Sequence, residues 1–205
     1  MKGLFVVFEG ITGSGKKTHI KLLAEKLKER GKEVTVISFP NYETEIARFT
    51  KRPDLDSFTQ SLLFAADRSL HQERIKALLE KGNVVLCDRY CYSNFAYQAA
   101  KGLPIEWLKE IEKHNIKPDI VFLIDVPVEV SMNRVKQLSI EDFTKKEILE
   151  RLEKEKEFLE KIREIYLSLA VSDKETKWFV VNGSEEISVN HEKIWEKVKE
   201  ELKIL

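Results

Sequence analysis

Strand-length apolar runs alternate along this chain with longer segments of helical period. The runs that predict strands are Leu4–Phe8, Val34–Phe39, Val84–Cys87, Ile120–Ile124 and Trp178–Val181. Apolar residues three or four positions apart predict helices over Thr18–Arg30, about Asp56–Lys81, Pro104–His114 and Ile187–Leu202. Nearly continuous apolar strands separated by helices are typical of a parallel sheet covered on both faces. The pattern therefore predicts one α/β domain over residues 1–205, built on a parallel sheet of these five strands.

A glycine-rich segment follows the first predicted strand and leads into a predicted helix. It comprises Gly10, Ile11, Thr12, Gly13, Ser14, Gly15, Lys16, Lys17 and Thr18. Glycines let the backbone curl so that successive N–H groups point at one anion, and the helix N-terminus adds partial positive charge. Lys16 can then reach the β- and γ-phosphates of a nucleoside triphosphate. The whole segment is therefore predicted to bind the phosphates of ATP.

Lys17 stands where such a loop requires Ser or Thr, whose hydroxyl ligates Mg²⁺. The hydroxyl arrives one residue later, at Thr18. Because a helix turns by about 100° per residue, Thr18 does not share the geometry of the preceding position. Two alternatives stay open: either other groups hold Mg²⁺, or catalysis is weakened.

Polar residues also follow the third predicted strand, at Asp88 and Arg89. Ligands of open α/β sheets lie beyond the carboxyl ends of the strands, so this pair is expected to face the phosphate loop. Arg89 can bind a phosphate through its planar guanidinium, and Asp88 can orient the water shell of a metal ion. Phe64 and Arg68 are spaced i, i+4 and share a helix face. An aromatic plane beside a guanidinium suits a flat base.

Several short motifs, taken together, point to one known family. They are Phe8–Gly10 with Gly15-Lys16, Phe39-Pro40, Leu62–Arg68 (LLFAADR), Asp88–Gln98 (DRYCYSNFAYQ), Ile124–Pro127 with Arg134, Phe158–Ala170 and Asn182–Ser184. They span nearly the whole chain in order, and the Asp88–Gln98 stretch is the most specific. The chain thus resembles the thymidylate kinases (dTMP kinases), a family of P-loop nucleoside monophosphate kinases. The resemblance implies a three-layer P-loop NTPase fold with a short lid, and a homodimer.

The resemblance also implies how the acceptor nucleotide is bound. Phe64 would stack on thymine, and Arg68 would bond the exocyclic oxygen of the base. Ser93 and Asn94 would line the base edge. Tyr97 would crowd the 2′ carbon and so disfavour a ribose hydroxyl.

The phosphates would be handled by a second group of residues. Arg89 and the turn at Phe39-Pro40 would place the acceptor phosphate. Some family members carry a catalytic arginine in the phosphate loop, where this chain has Gly13, whereas others supply positive charge from a lid. This chain resembles the second kind, with a lid over about 135–146 and candidate cations Arg134, Lys136, Lys145 and Lys146. The implied catalytic residues are Lys16, Asp88, Arg89 and Arg134, with Asp88 acting on Mg²⁺ through water.

The phosphate loop departs from the family pattern at two positions. The family usually has aspartate at the position of Thr12 and Thr or Ser at the position of Lys17. Each difference adds one positive charge, so the loop is more basic by two units. We hypothesise that Lys17 partly replaces the missing metal-ligand charge and alters the dependence on Mg²⁺.

Composition narrows the range of partners. Lysine plus arginine and aspartate plus glutamate number 35 each, and this balance disfavours a nucleic-acid partner, which usually requires a basic excess. The apolar stretch at the start of the chain is too short for the apolar region of a signal peptide, and no later apolar run predicts a membrane span. Cys87 and Cys91 are too few for a disulfide framework or a four-cysteine zinc site. We therefore expect a cytoplasmic protein.

The expected reaction converts ATP and dTMP to ADP and dTDP in the synthesis of dTTP. A phosphate monoester has a second pKa near 6, so the acceptor is largely dianionic at neutral pH and needs no strong base. His19, His71, His114 and His191 fall on predicted helices and are expected at the surface. Two alternatives remain: a deoxynucleoside kinase, and a nucleotide-binding paralogue with weak or no activity.

Overall fold

A five-stranded parallel sheet forms the centre of the molecule. The computed structural model describes residues 3–136 and 145–203, with side chains in the second range from residue 155 onward. The strands are β1 Leu4–Glu9, β2 Val34–Ser38, β3 Val84–Asp88, β4 Ile120–Asp125 and β5 Lys177–Asn182. They lie in the order β2-β3-β1-β4-β5. Each predicted strand is confirmed to within one residue at either end.

Helices connect the strands and cover the sheet. They are α1 Lys16–Glu29, α2 Glu45–Phe49, α3 Ser57–Ser69, α4 Gln72–Glu80, α5 Cys91–Ala100, α6 Ile105–Glu112, α7 Val128–Lys136, α8 Lys145–Ser172 and α9 Ile187–Leu202. The single helical region predicted over Asp56–Lys81 is divided between α3 and α4. The stretch 135–144 has no clear period in the sequence, yet its first two residues end α7. The rest of the predicted lid, 137–144, lies outside the described residues.

Two apolar cores lie on opposite faces of the sheet, because β1, β3 and β4 are apolar at nearly every position. On one face, α1 and α9 contribute Leu23 and Trp195 to the core. On the other face, α4, α5 and α8 contribute residues such as Ile75, Phe95 and Tyr166. The arrangement is the three-layer α/β architecture expected of a P-loop NTPase.

Polar residues end the three central strands at the same edge of the sheet. Glu9 ends β1, Asp88 ends β3 and Asp125 ends β4. Parallel strands bring their carboxyl ends to one edge, so these carboxylates and the segments that follow them lie together. Among the helices in the described ranges, none is long and apolar enough to cross a membrane.

Candidate active site

The phosphate loop connects β1 to α1 and is held in place by its neighbours. Gly10 and Gly13 have φ angles of 139° and 76°, which disfavour side chains. A Cβ at Gly10 would lie 2.5 Å from the carbonyl oxygen of Ile124, and one at Gly13 would lie 2.8 Å from that of Ser131. Glycine is therefore required both for the curl of the loop and for its close approach to β4 and α7.

The ammonium group of Lys16 lies inside this loop. It donates hydrogen bonds to the carbonyl oxygens of Gly10 and Ile11 at 2.9 and 3.0 Å, and to Ser14 Oγ at 3.3 Å. Burial, together with the positive charge of Arg89, lowers the pKa of Lys16 to about 7. The ammonium group is thus held within the loop, and anion binding would favour its charged form. The predicted contact of Lys16 with the phosphates of ATP stays a prediction.

The two residues after Lys16 are both exposed on the first turn of α1. Lys17 and Thr18 therefore face solvent at the rim of the loop, and so does Thr12. Asp88 offers a separate oxygen for a metal ion, because its buried Oδ1 has no hydrogen-bond partner in the described structure. An unpaired carboxylate oxygen next to a phosphate loop suits the hydrated shell of Mg²⁺. The residues present therefore fit a magnesium ion held largely through water and phosphate.

Arg89 spans the gap between the phosphate loop and α5. Its guanidinium donates to Thr12 Oγ1 at 3.3 Å, to the Tyr97 hydroxyl at 3.2 Å and to Ser93 Oγ at 3.2 Å. The backbone at Arg89 is left-handed, with a φ of 66°. Burial alone would lower the pKa of Arg89, but Tyr97 and the other acidic groups nearby raise it, so the side chain stays charged. Arg89 thus faces the loop after β1, and its predicted contact with the acceptor phosphate stays a prediction.

Glu9 is linked to Arg89 through the hydroxyl of Ser93, and no role was predicted for it from the sequence. Its carboxylate accepts hydrogen bonds from the backbone N–H groups of Tyr90 and Ser93 at 2.7 and 3.1 Å. It also accepts from the hydroxyls of Ser93 and Tyr166 at 2.7 and 2.9 Å. Burial raises the pKa of Glu9, while the hydrogen bond from Ser93 and the charge of Arg89 oppose that rise. Glu9 caps α5, which offers no side-chain cap of its own.

A cavity of about 240 Å³ opens beside Arg89. It is lined by Thr12, Gln60, Phe64, Arg68, Arg89, Ser93, Asn94, Tyr97, Gln98 and Lys101. Six of the predicted acceptor residues are therefore brought to one place. Gln60, Gln98 and Lys101 also line the cavity and were not predicted as site residues. Helical spacing could have found them, since Gln60 precedes Phe64 by one turn and Gln98 follows Asn94 by one turn.

Arg68 is held at the cavity wall by a buried ion pair with Glu112. Arg68 Nε donates to Glu112 Oε2 at 3.0 Å, and Nη2 donates to Oε1. The same carboxylate accepts from Asn94 Nδ2 at 2.9 Å. Burial alone would lower the pKa of Arg68, but the carboxylate of Glu112 raises it. The side chain is thereby fixed as a permanent donor, with Nη1 not engaged by Glu112.

Ser93 and Asn94 line the cavity, but their side chains also bind protein groups. Ser93 bonds Glu9 and Arg89, as described above, and Asn94 Nδ2 donates to the carbonyl oxygen of Ser61 at 3.2 Å. The backbone N–H of Phe39 donates to the carbonyl oxygen of Asp88 at 3.1 Å. The Phe39 ring packs in the core against Tyr90 and is not part of the cavity wall. The predicted ligand contacts of Ser93, Asn94, Phe39 and Pro40 stay predictions.

Arg134 lies on α7 and contacts the phosphate loop from the side. It donates to the carbonyl oxygens of Gly13 and Ser14 at 3.4 and 3.3 Å, and to that of Gly183 at 3.0 Å. Arg134 therefore braces the loop against the segment that follows β5. Its catalytic role remains a prediction.

The expectation for the histidines is wrong for His19. This residue is only 3% exposed, because α9 packs over the beginning of α1. His71 and His114 lie in turns after α3 and α6 rather than within helices, and only His114 is exposed. None of the four lines the cavity beside Arg89. The site described here therefore contains no histidine base.

The geometry defines a class of enzyme. A phosphate loop and an arginine-lined cavity face each other across the carboxyl edge of a parallel sheet, which is the arrangement of a P-loop nucleoside monophosphate kinase.

Comparison with known proteins identifies the family. A family model described as thymidylate kinase matches residues 8–194. A probable thymidylate kinase of Pyrococcus abyssi is 41% identical, with 98% of each chain covered. A probable thymidylate kinase of Thermococcus kodakarensis is 38% identical over 93% of this chain and 95% of its own. The thymidylate kinase of Plasmodium falciparum is 39% identical over 99% of this chain and 91% of its own. The chain belongs to the thymidylate kinase family and is a phosphotransferase.

Proposed function

We propose that this chain transfers the γ-phosphoryl group of ATP to dTMP, producing ADP and dTDP for the synthesis of dTTP. One observation carries the proposal: Arg89 reaches both the phosphate loop, at Thr12, and the wall of the cavity, at Tyr97. A phosphate monoester bound at Arg89 would therefore lie between the cavity and the loop that binds ATP. In-line transfer requires this placement of acceptor and donor.

The cavity suits a thymine base. Arg68 is locked by Glu112, so its remaining nitrogen can only donate a hydrogen bond. The exocyclic O4 of thymine accepts such a bond, whereas the amino group of cytosine would place donor against donor. Phe64 lies on the same wall and offers a ring for stacking. These two residues support a preference for thymine or uracil over cytosine.

The position of Tyr97 supports a preference for deoxyribonucleotides over ribonucleotides. Its hydroxyl is held 3.2 Å from Arg89 Nη2 and 3.4 Å from Thr12 Oγ1, so the ring cannot move freely out of the cavity. A ring fixed beside the site of the sugar would crowd a 2′-hydroxyl. The enzyme would then favour dTMP over ribonucleotides.

Catalysis would rest on cations around a dianionic acceptor. Lys16 and Arg89 flank the path of the transferred group, and Asp88 would hold Mg²⁺ through its water shell. The metal supplies charge neutralisation on the donor phosphates when bound. Arg134 and the lid over about 135–146 would add positive charge and exclude water on closure. All these elements would belong to one domain spanning residues 1–205.

Assays of ADP release with dTMP, dUMP, dCMP, dGMP, UMP and thymidine would test the proposal. We expect turnover to be highest with dTMP, lower with dUMP and near background with dCMP and UMP. Turnover with thymidine but not dTMP would instead identify a deoxynucleoside kinase. ATP binding without turnover of any acceptor would identify an inactive paralogue. The names of the relatives support neither of these alternatives.

We also propose that the protein is a cytoplasmic homodimer. Phe58 and Leu62 lie one turn apart on α3 and are 50% and 49% exposed, and Phe49 on the adjacent α2 is 45% exposed. Such an apolar surface favours a partner of the same kind. Light scattering of wild type and Leu62→Asp would test it: we expect a dimer and a monomer, respectively. A monomeric wild type would contradict the proposal.

A further inference from the structure

Glu9 is a fully buried carboxylate at the carboxyl edge of the sheet, and the reaction proposed above gives it no part. It ends β1, directly before the phosphate loop. Two backbone N–H groups and a hydroxyl from the beginning of α5 donate to it, and the hydroxyl of Tyr166 on α8 donates as well. So many bonds on one buried side chain hold the beginning of α5 against the end of β1.

We propose that Glu9 is a positioning residue for the acceptor phosphate and acts through Arg89, which rests on the proposed binding of that phosphate by Arg89. Ser93 joins the two side chains. Its hydroxyl donates to Glu9 Oε2 at 2.7 Å, and its oxygen accepts from Arg89 Nη1 at 3.2 Å. A hydroxyl has one proton, so donating that proton to the carboxylate leaves the lone pairs of Ser93 for the guanidinium.

The backbone at Arg89 requires the same support. Its φ of 66° is a left-handed conformation, which costs free energy in a residue with a Cβ. Such a conformation persists where the surrounding structure over-determines it. Here the N–H of Arg89 donates to the carbonyl oxygen of Phe8 at 3.0 Å, and the N–H of Tyr90 donates to Glu9 Oε1 at 2.7 Å. Both acceptors lie on β1, so the end of β1 imposes the turn that directs Arg89 toward the phosphate loop.

The charge of Glu9 and its hydrogen bonds have opposite effects on a bound phosphate. Its negative charge interacts with that of Arg89. Loss of this charge alone would therefore strengthen the binding of an anion at Arg89. Loss of the hydrogen bonds would release Ser93 and the turn at Arg89, and would weaken that binding. A variant that removes the charge but keeps the shape of the side chain separates the two effects.

Glu9→Gln is such a variant. The backbone N–H groups of Tyr90 and Ser93 can only donate, so the amide oxygen must face them and the NH₂ group must face the Ser93 hydroxyl. That hydroxyl then loses the carboxylate that accepts its proton. Its lone pairs are shared between the amide and Arg89, so the guanidinium is held less firmly.

The contribution of the phosphate is measured as a ratio, the dissociation constant of thymidine divided by that of dTMP. Thymidine has the base and the sugar but no phosphate, so general damage to the cavity affects both constants and cancels in the ratio. Direct calorimetry with dTMP and displacement calorimetry with thymidine, without donor nucleotide, give the two constants. We expect Glu9→Gln to lower the ratio by about tenfold.

A double variant tests whether Glu9 acts through Arg89. Arg89→Ala should itself lower the ratio. Adding Glu9→Gln to Arg89→Ala should lower it further by less than about twofold, because the group that Glu9 positions is already absent. A further tenfold loss would show that Glu9 acts on the phosphate by another route and would overturn the proposal.

Asp119→Asn is the matched control. Asp119 also accepts a backbone N–H, that of Phe5 at 2.8 Å, toward the other end of β1. This variant should leave the ratio unchanged. Urea denaturation measures the stability of each protein. A lower stability of Glu9→Gln with an unchanged ratio would mean that Glu9 is only structural, and a higher ratio would mean that its charge prevails; either result overturns the proposal.

Glu9→Asp covers the case in which Glu9→Gln does not fold. It keeps the charge, but its side chain is one methylene shorter and cannot reach both Tyr90 and Ser93 in the same way. We expect the ratio to fall here too, and an unchanged ratio would overturn the proposal. A ratio near one in the wild-type protein would instead contradict the proposed function, because the phosphate would then add nothing to binding.

Discussion

Arg89 donates a hydrogen bond to Thr12 Oγ1 at 3.3 Å, although 77 positions separate the two residues in the chain. The contact joins the loop after β1 to the segment after β3. Because Thr12 is neutral, the charge of Arg89 is not cancelled within the loop. The guanidinium therefore remains available for an acceptor phosphate.

Replacing Arg89 tests the central claim of the proposed function. Arg89→Ala should lower kcat/KM for dTMP by about a hundredfold or more, because a half-buried charged donor beside the transferring group is lost. Arg89→Lys should recover only part of this loss, since an ammonium keeps the charge but not the planar fork. Steady-state kinetics at saturating ATP measures both. A loss of less than threefold in the alanine variant would show that the acceptor phosphate binds elsewhere.

The lowered pKa of Lys16 predicts that the affinity for ATP depends on pH. Its pKa is lowered to about 7 by burial, so at pH 8 most of the free protein carries a neutral amine. Phosphate binding favours the charged form, so ATP should take up close to one proton per site at pH 8, and its affinity should fall by about fivefold from pH 7 to pH 8. Calorimetry in buffers of different ionisation enthalpy measures the uptake. Lys16→Arg is the control, because a guanidinium stays charged and should show none.

The buried pair of Arg68 and Glu112 should matter for stability as well as for base binding. Glu112→Gln leaves the Arg68 charge without its partner and should lower the free energy of unfolding by about 3 kcal/mol. Glu110→Gln removes the exposed partner of Lys113 and should change it by less than about 1 kcal/mol. Urea denaturation distinguishes the two. Equal effects would mean that the buried pair contributes no more than a surface pair.

Because no hydroxyl follows Lys16 directly, the protein should need a higher Mg²⁺ concentration for half-maximal activity. Lys17→Thr restores a potential ligand on the first turn of α1, so half-maximal activity should require several-fold less Mg²⁺. Lys21→Thr removes the same charge one turn later and should leave the curve unchanged. Titrations of activity against Mg²⁺ compare the three proteins. Superimposable curves for wild type and Lys17→Thr would remove the hypothesis that Lys17 replaces metal-ligand charge.

The strands and the phosphate loop were predictable because their signals are local. Apolar runs mark β1, β3 and β4, and the order of strand, glycines, lysine and helix needs no information from the rest of the chain. The helix α5 was not predicted as a helix, although Ser93, Asn94 and Gln98 recur at helical spacing and form a polar face. That face lines the cavity beside Arg89, so no residue of α5 is exposed. The sequence therefore carries the helical period here, although the polar face serves a cavity and not solvent.

Roles that depend on distant partners were harder to predict. Arg68 was expected to meet the base, but nothing in the sequence indicates that Glu112, 44 positions away, holds it in place. Glu9 was noted only as one position of a family motif. Its carboxylate in fact caps α5 and accepts a hydrogen bond from the hydroxyl of Ser93. Both acids are buried in networks that form only when the sheet and α5 are assembled.

The pairing of β1 determines when the phosphate loop takes its shape during synthesis. Leu4 pairs with Val84, and Val6 pairs with Ile120, so the strand made first is flanked by strands made much later. The curl at Gly10 closes against Ile124, which is translated 114 residues later. The nascent chain therefore carries the phosphate loop unformed until β3 and β4 have been made, and long-range pairing of this kind slows folding. Nucleotide binding therefore becomes possible only after β3 and β4 have been synthesised and have paired with β1.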